Sequence, residues 1–234
     1  EPEELAGEDR QHLAEAWIEG AWVRFSEGGV LHRSLHLLER GLALASGQSL
    51  LEARAHAYRI RLCHLDGAIP RAAESARRVT ELASAGGDRF GLVFGLGNEG
   101  YVLCDAGELA RAATLCTEAQ ALAREARHEV ARALAAGWLA RVHVFAGNCE
   151  AALAAADEAR ELGRRTGQQG AVYNAEMWAG LARLLLDEPK RAAESFERLA
   201  EINDRWPTTL DWLALARLET GRLGDAIDLA RRCL

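Results

Sequence analysis

The chain has 234 residues, 49% of them hydrophobic and 27% charged, with a formal net charge of −7. That length can bury a large core. Its acidic balance and scattered arginines, paired only briefly at Arg77–Arg78, Arg164–Arg165 and Arg231–Arg232, exclude the concentrated basic surface that a phosphate backbone requires. No apolar run reaches the roughly 18 residues of a membrane span, and none of these residues reads as a signal peptide.

Residues 1–9 are acidic and polar, with Pro2 and Gly7, and read as a frayed lead-in. Leu13, Trp17, Val23 and Phe25 then give helical periodicity up to Ser26, which Glu27-Gly28-Gly29 breaks. Leu31, Leu35, Leu38 and Leu42 form one stripe of a second helix. Ser49 reads as the N-cap of the next unit, which runs to Ala85 around a turn at Asp66–Pro70. Gly86-Gly87-Asp88 opens a third unit, and a fourth spans Glu129 to Arg165. A fifth runs from Gln168 to Asn203, and Trp206-Pro207 opens a shorter sixth. Pro70, Pro189 and Pro207 all fall at helix starts, where a missing N–H costs nothing. Period-two alternation is absent, so no strands are predicted. The chain ends about 11 residues into its last predicted helix, and the segment reads as a fragment of a longer chain.

The turns recur. Gly29, Gly67, Gly107, Gly147, Asp187 and Gly221 lie 38, 40, 40, 40 and 34 residues apart. Fixed periods of this size mark a solenoid. Five residues after each anchor stand Ser34, Ala72, Ala112, Ala152, Ala192 and Ala226, all small, as two nearly touching helices need. Seven before stand Trp22, Ile60, Gly100, Ala140, Gly180 and Ala214, so the first two units depart from the pattern.

These residues resemble the tetratricopeptide repeat, an antiparallel helix pair with small residues at its crossing. The best match is Asn98–Ala119, with Gly100, Gly107, Ala112 and Ala119 in family slots. The resemblance implies an all-α fold: a right-handed α-solenoid of about six helix hairpins, forming a single domain over residues 1–234. The 40-residue period exceeds the family's usual value of about 34. Longer units of this kind resemble the sensor arrays of large ATP-binding LuxR-type and maltose-regulator-like bacterial transcriptional regulators.

No catalytic constellation emerges. Gly95-Leu96-Gly97-Asn98-Glu99-Gly100 fits G-x-G-x-x-G, but a dinucleotide loop needs a parallel sheet around it, and Gly100 already has a packing slot. The glycines at 91, 95, 97 and 100 point instead to close helix approach or to space for a ligand. The seven histidines lack metal-ligand spacing, and no cofactor is implied. The five cysteines show no C-x-x-C pair and read as small buried thiols in a reducing compartment, so a cytoplasmic location is expected.

The row nine residues before each anchor carries the binding expectation: Gly20, Tyr58, Asn98, Trp138, Trp178 and Trp212. Four of the six are aromatic in a chain that is only 6% aromatic. Three residues later come Arg61, Tyr101 and Arg141, on the same helix face. In the family this slot faces the concave groove, which makes Tyr58, Arg61, Asn98, Tyr101, Trp138, Arg141, Trp178 and Trp212 candidate partner-binding residues. Two placements stay open: rings facing the groove, or rings packed between successive units. The expected partners are a protein or peptide, or a small-molecule effector, with no nucleic acid or membrane. An alternative is self-assembly through the last hairpin, around Leu229, Cys233 and Leu234.

Overall fold

The computed structural model describes residues 7–202 and 207–232, and those residues form twelve helices and no strand. The chain divides into two compact units, residues 1–108 and 109–234. The first holds α1 (Gly7–Ser26), α2 (Leu31–Ala45), α3 (Ser49–Leu65), α4 (Ile69–Gly86) and α5 (Arg89–Leu103). The second holds α6 (Leu109–Glu125), α7 (Glu129–Phe145), α8 (Cys149–Thr166), α9 (Gln169–Leu185), α10 (Pro189–Ile202), α11 (Pro207–Glu219) and α12 (Leu223–Arg232). Within each unit every helix packs on the one before and the one after it. Helices of 10 to 20 residues are marginal alone, so burial of their apolar faces on neighbours supplies most of their stability.

The turns explain the period. Gly67 takes φ +74°, and its N–H donates to the carbonyl of His64 while that of Ala68 donates to Cys63. The same bond pair recurs at Gly107, Gly147, Asp187 and Gly221. Asp187 adopts it with φ +58°, a conformation that side chains rarely take. In the first turn the left-handed residue is Gly28, at φ +85°, not Gly29. The loop there is one residue longer, which shifts the register of α1. Seven residues before Gly28 stands Ala21, fully buried, so the small-residue slot that Trp22 had seemed to violate is kept. A second series of left-handed turns falls at Gly47, Gly87, Arg127 and Gly167, each 40 residues from the last.

Helix ends differ slightly from the sequence expectation. Ser49 is the first residue of α3, and Gln48 stands at the cap position without a side-chain bond. Asp88 does cap α5, its Oδ1 accepting from the Gly91 N–H at 3.0 Å.

Small residues sit where helices cross. Ser34 and Ala72 are fully buried in the first unit, as are Ala112, Ala152 and Ala192 in the second. Gly95 lies against Thr80 of α4, so a methyl group there would overlap that residue. The segment 92–100 is entirely helical. Gly91 and Gly95 therefore serve close packing, and the dinucleotide pattern has no strand before it. Gly180 faces the fully buried Phe196 ring in the same manner. Cys63, Cys104, Cys116 and Cys149 are buried and unbridged. No helix among the described residues is long and apolar enough to cross a membrane.

Candidate functional site

In the first unit the predicted row is half-buried. Tyr58 stacks on Trp22, centroids 4.8 Å apart and planes 12° from parallel. Its hydroxyl donates to Glu19 Oε2 at 3.1 Å, and burial, then the Glu19 charge, pushes its pKa up. With Gly28 as the anchor, Glu19 rather than Gly20 holds the row position in the first repeat. Asn98 turns its amide back to the Phe94 carbonyl at 2.8 Å. Tyr101 meets the His64 ring edge-on at 5.5 Å, and His64 Nε2 lies 2.6 Å from Asp105 Oδ2. Arg61 is half-buried on α3.

In the second unit the row goes inward. Trp138, Arg141 and Trp178 are 4%, 3% and 7% exposed. The Arg141 guanidinium lies 4.9 Å from the Phe145 ring centre and 5.0 Å from that of Trp178, spacings suited to cation–π attraction. Trp212 is half-buried and stacks on Phe196 at 6.3 Å. The rings of α9 and α11 thus pack on the preceding repeat. Apolar side chains remain exposed toward the ends of α7, α9 and α11: Phe145, Leu185, Leu215 and Leu218.

Sequence reading missed a second cluster. Eleven residues before the turns of the third, fourth and sixth repeats stand Leu96, Ala136 and Leu210, all buried. The fifth repeat places Glu176 there, fully buried. Its Oε1 accepts from Arg160 Nε at 2.7 Å and its Oε2 from Arg198 Nε at 3.1 Å. Arg164 Nη2 approaches Oε1 at 3.7 Å. Arg160 also pairs with Asp157, and both Arg183 and Arg198 donate to the buried Ser195 hydroxyl. Burial, the largest single effect, opposes the charge of Arg160, but hydrogen bonds and charge attraction from Glu176 and Asp157 together outweigh it and raise its pKa. Arg183 goes the other way: burial, then Arg160 and Arg198, lowers its pKa. A cavity of about 260 Å³ opens beside the cluster, lined among others by Arg164, Gln169, Val172, Glu176, Arg198 and Glu201. The signal in the sequence was a carboxylate in a slot that neighbouring repeats fill with Leu or Ala.

No family model and no curated protein matches this sequence. Solved structures do match the fold. The apo form of RapI superposes with a TM-score of 0.72 at 15% identity, over 95% of this chain and 82% of that one. The fold is that of a tetratricopeptide-repeat array. A Pyrococcus horikoshii signal-transduction ATPase with numerous domains, carrying a tetratricopeptide repeat sensor, gives 0.63 at 15% identity, over 95% of this chain. This chain spans 37% of that protein. PilW, a type IV pilus biogenesis factor, gives 0.59 at 15% identity, over 92% of this chain and 90% of that one.

Proposed function

We propose that this repeat array is a non-catalytic binding scaffold whose second unit receives an apolar peptide or protein segment along α7, α9 and α11. The observation that carries this reading is the row of exposed Phe145, Leu185, Leu215 and Leu218, at 43%, 62%, 37% and 50% exposure. Repeated exposure of large apolar side chains toward the ends of α7, α9 and α11 points to an interaction site. Trp138, Arg141, Trp178 and Trp212 back this surface and fix its shape, while Tyr58, Arg61, Asn98 and Tyr101 hold the corresponding row of the first unit. The partner class is protein or peptide, with a small effector as the other source of the same apolar contact.

The finer role we infer is the sensor region of a larger cytoplasmic regulator of transcription. Support comes from the likeness to a tetratricopeptide sensor in a multidomain ATPase, and from buried unbridged thiols that suit a reducing compartment.

The test is a peptide array of amphipathic segments probed with the full chain, followed by Leu185→Glu with Leu218→Glu. Both side chains are at least half exposed, so the unfolding midpoint is expected to stay within about 2 °C. Affinity for the selected peptides should fall roughly tenfold or more. Unchanged affinity sinks the reading.

One observation favours self-association as a second reading. Among its described residues α12 buries only Ala226 and leaves Leu223 and Ile227 exposed. Leu229 is half-buried, and Cys233 and Leu234 lie outside the described residues. Light scattering of wild type against Leu223→Ser with Ile227→Ser decides it: a wild-type monomer at high concentration removes this reading.

A further inference from the structure

The arginine cluster around Glu176 is more positive than its carboxylate requires. One buried carboxylate is matched by one guanidinium, yet Arg160, Arg164 and Arg198 all reach Glu176. Arg183 adds a fourth positive charge behind them, held to Ser195. Against these stand Glu176, the exposed Asp157 on Arg160, and the exposed Glu201 at the cavity rim. Core packing does not demand charge here, because the third, fourth and sixth repeats fill the slot with Leu96, Ala136 and Leu210. Buried ion pairs are a weak source of stability compared with apolar side chains. Such an expensive replacement has another use.

The geometry shows where that use lies. Arg160 is committed to Glu176 and Asp157, and its Nη2 is enclosed without an acceptor among the described residues. Arg198, which lines the cavity, spends Nε on Glu176 and Nη2 on Ser195 and keeps Nη1 in reserve. Arg164 is 60% exposed and only 3.7 Å from Glu176, too long for a hydrogen bond. Val172 and Ile202 supply apolar wall beside them. A volume near 260 Å³ suits a group of a few heavy atoms rather than a drug-sized ligand.

We propose that this cavity binds a small organic anion, its carboxylate or phosphoryl oxygens gripped between Arg164 and Arg198 and its carbon skeleton laid along Val172 and Ile202. Glu176 is the positioning residue: it fixes the guanidinium planes and keeps the empty site near neutrality. After burial, the charges of Arg160 and Arg198 disfavour the charged form of Arg183, and an arriving anion relieves that repulsion. The site is built by α8, α9 and α10 and is independent of the apolar row proposed above.

The full chain should be titrated with succinate and, separately, with inorganic phosphate, at ionic strength held constant by sodium chloride so that general screening is matched. Saturable heat and a rise in Tm of roughly 5–10 °C at about a hundredfold excess over Kd are expected for at least one probe. Response to phosphate alone assigns a phosphoryl ligand, and response to succinate alone assigns a carboxylate. Arg164→Gln, at an exposed position, should fold normally and bind about 10- to 100-fold more weakly. Arg231→Gln removes the same charge from the exposed end of α12 and should change nothing. Absence of saturation by both probes, or equal affinity in Arg164→Gln and wild type, overturns the proposal.

Discussion

The second and fifth repeats put an ionisable group in the same core slot, and they treat it oppositely. In the second repeat the slot holds His56, 8% exposed, with no acceptor or donor for Nδ1 among the described residues. In the fifth it holds Glu176, fully buried, with two guanidinium groups in hydrogen-bond contact and a third nearby. The backbone is the same helix at the same distance from the same turn. What differs is whether the adjoining helices bring a counter-charge into hydrogen-bond contact. A repeat therefore fixes where a side chain points, while the neighbouring repeats fix what that side chain can be.

The sharpest way to break this comparison is to give both slots the leucine of the third repeat. Glu176→Leu leaves Arg160 and Arg198 facing each other without their carboxylate. Removing one partner of a buried pair costs about 3–5 kcal/mol, and the partial solvent access of Arg164 and Arg198 puts the expectation near about 3 kcal/mol. Urea unfolding measures it. A neutral Glu176→Leu would mean that the arginines relax into water, and that the fifth slot is no more constrained than the second.

How much of this was legible in the sequence follows from the same logic. Glycines and small residues are dictated by one repeat alone, so Gly107, Ala112 and Gly180 announced the helix pairs correctly. The first turn was misplaced by one residue because Gly28 and Gly29 are adjacent, and only φ tells which is left-handed. The aromatic row was visible, but not the burial of Trp178, which depends on Arg141 and Phe145 being packed against it. The Glu176 cluster was hidden because its arginines lie 16 and 22 residues away on two other helices. Spacing within one helix cannot reveal a site assembled by three.

The second slot sharpens the comparison by its sign. His56→Leu removes a buried imidazole with an unsatisfied nitrogen and should stabilise the protein by about 1 kcal/mol at pH 7. Burial, then the charge of Arg59, lowers the His56 pKa below its ordinary 6.5. The unfolded chain therefore binds the proton more readily than the native one. Stability is full above pH 6.5 and falls as pH drops through that value toward the lower native pKa. Denaturant midpoints taken from pH 8 down to pH 5 should decline for wild type and flatten in His56→Leu. His143, also lowered by burial, accounts for a remaining slope. An unchanged slope would show that His56 is solvated, and the contrast with Glu176 would lose its physical basis.

The smallest effect concerns partly exposed charge pairs in the second and fourth repeats. Glu52 and Arg78 pair at 2.8 Å in the second repeat, and Arg132 and Glu158 pair at 3.0 Å in the fourth, at positions 80 residues further on with the signs exchanged. Position and distance are kept although the direction of the pair is not, so geometry and not sign is what the repeat specifies. Partly exposed pairs of this kind contribute about 0–1 kcal/mol. Glu52→Arg alone puts two guanidinium groups together and should cost up to about 1 kcal/mol at pH 8, where His56 is neutral. Adding Arg78→Glu should restore stability to within about 0.5 kcal/mol of wild type. The cycle is read by urea unfolding of the four proteins. Failure of the double exchange to recover would mean that Glu52 answers to groups beyond Arg78, and that the two repeats share less than their matched distances imply.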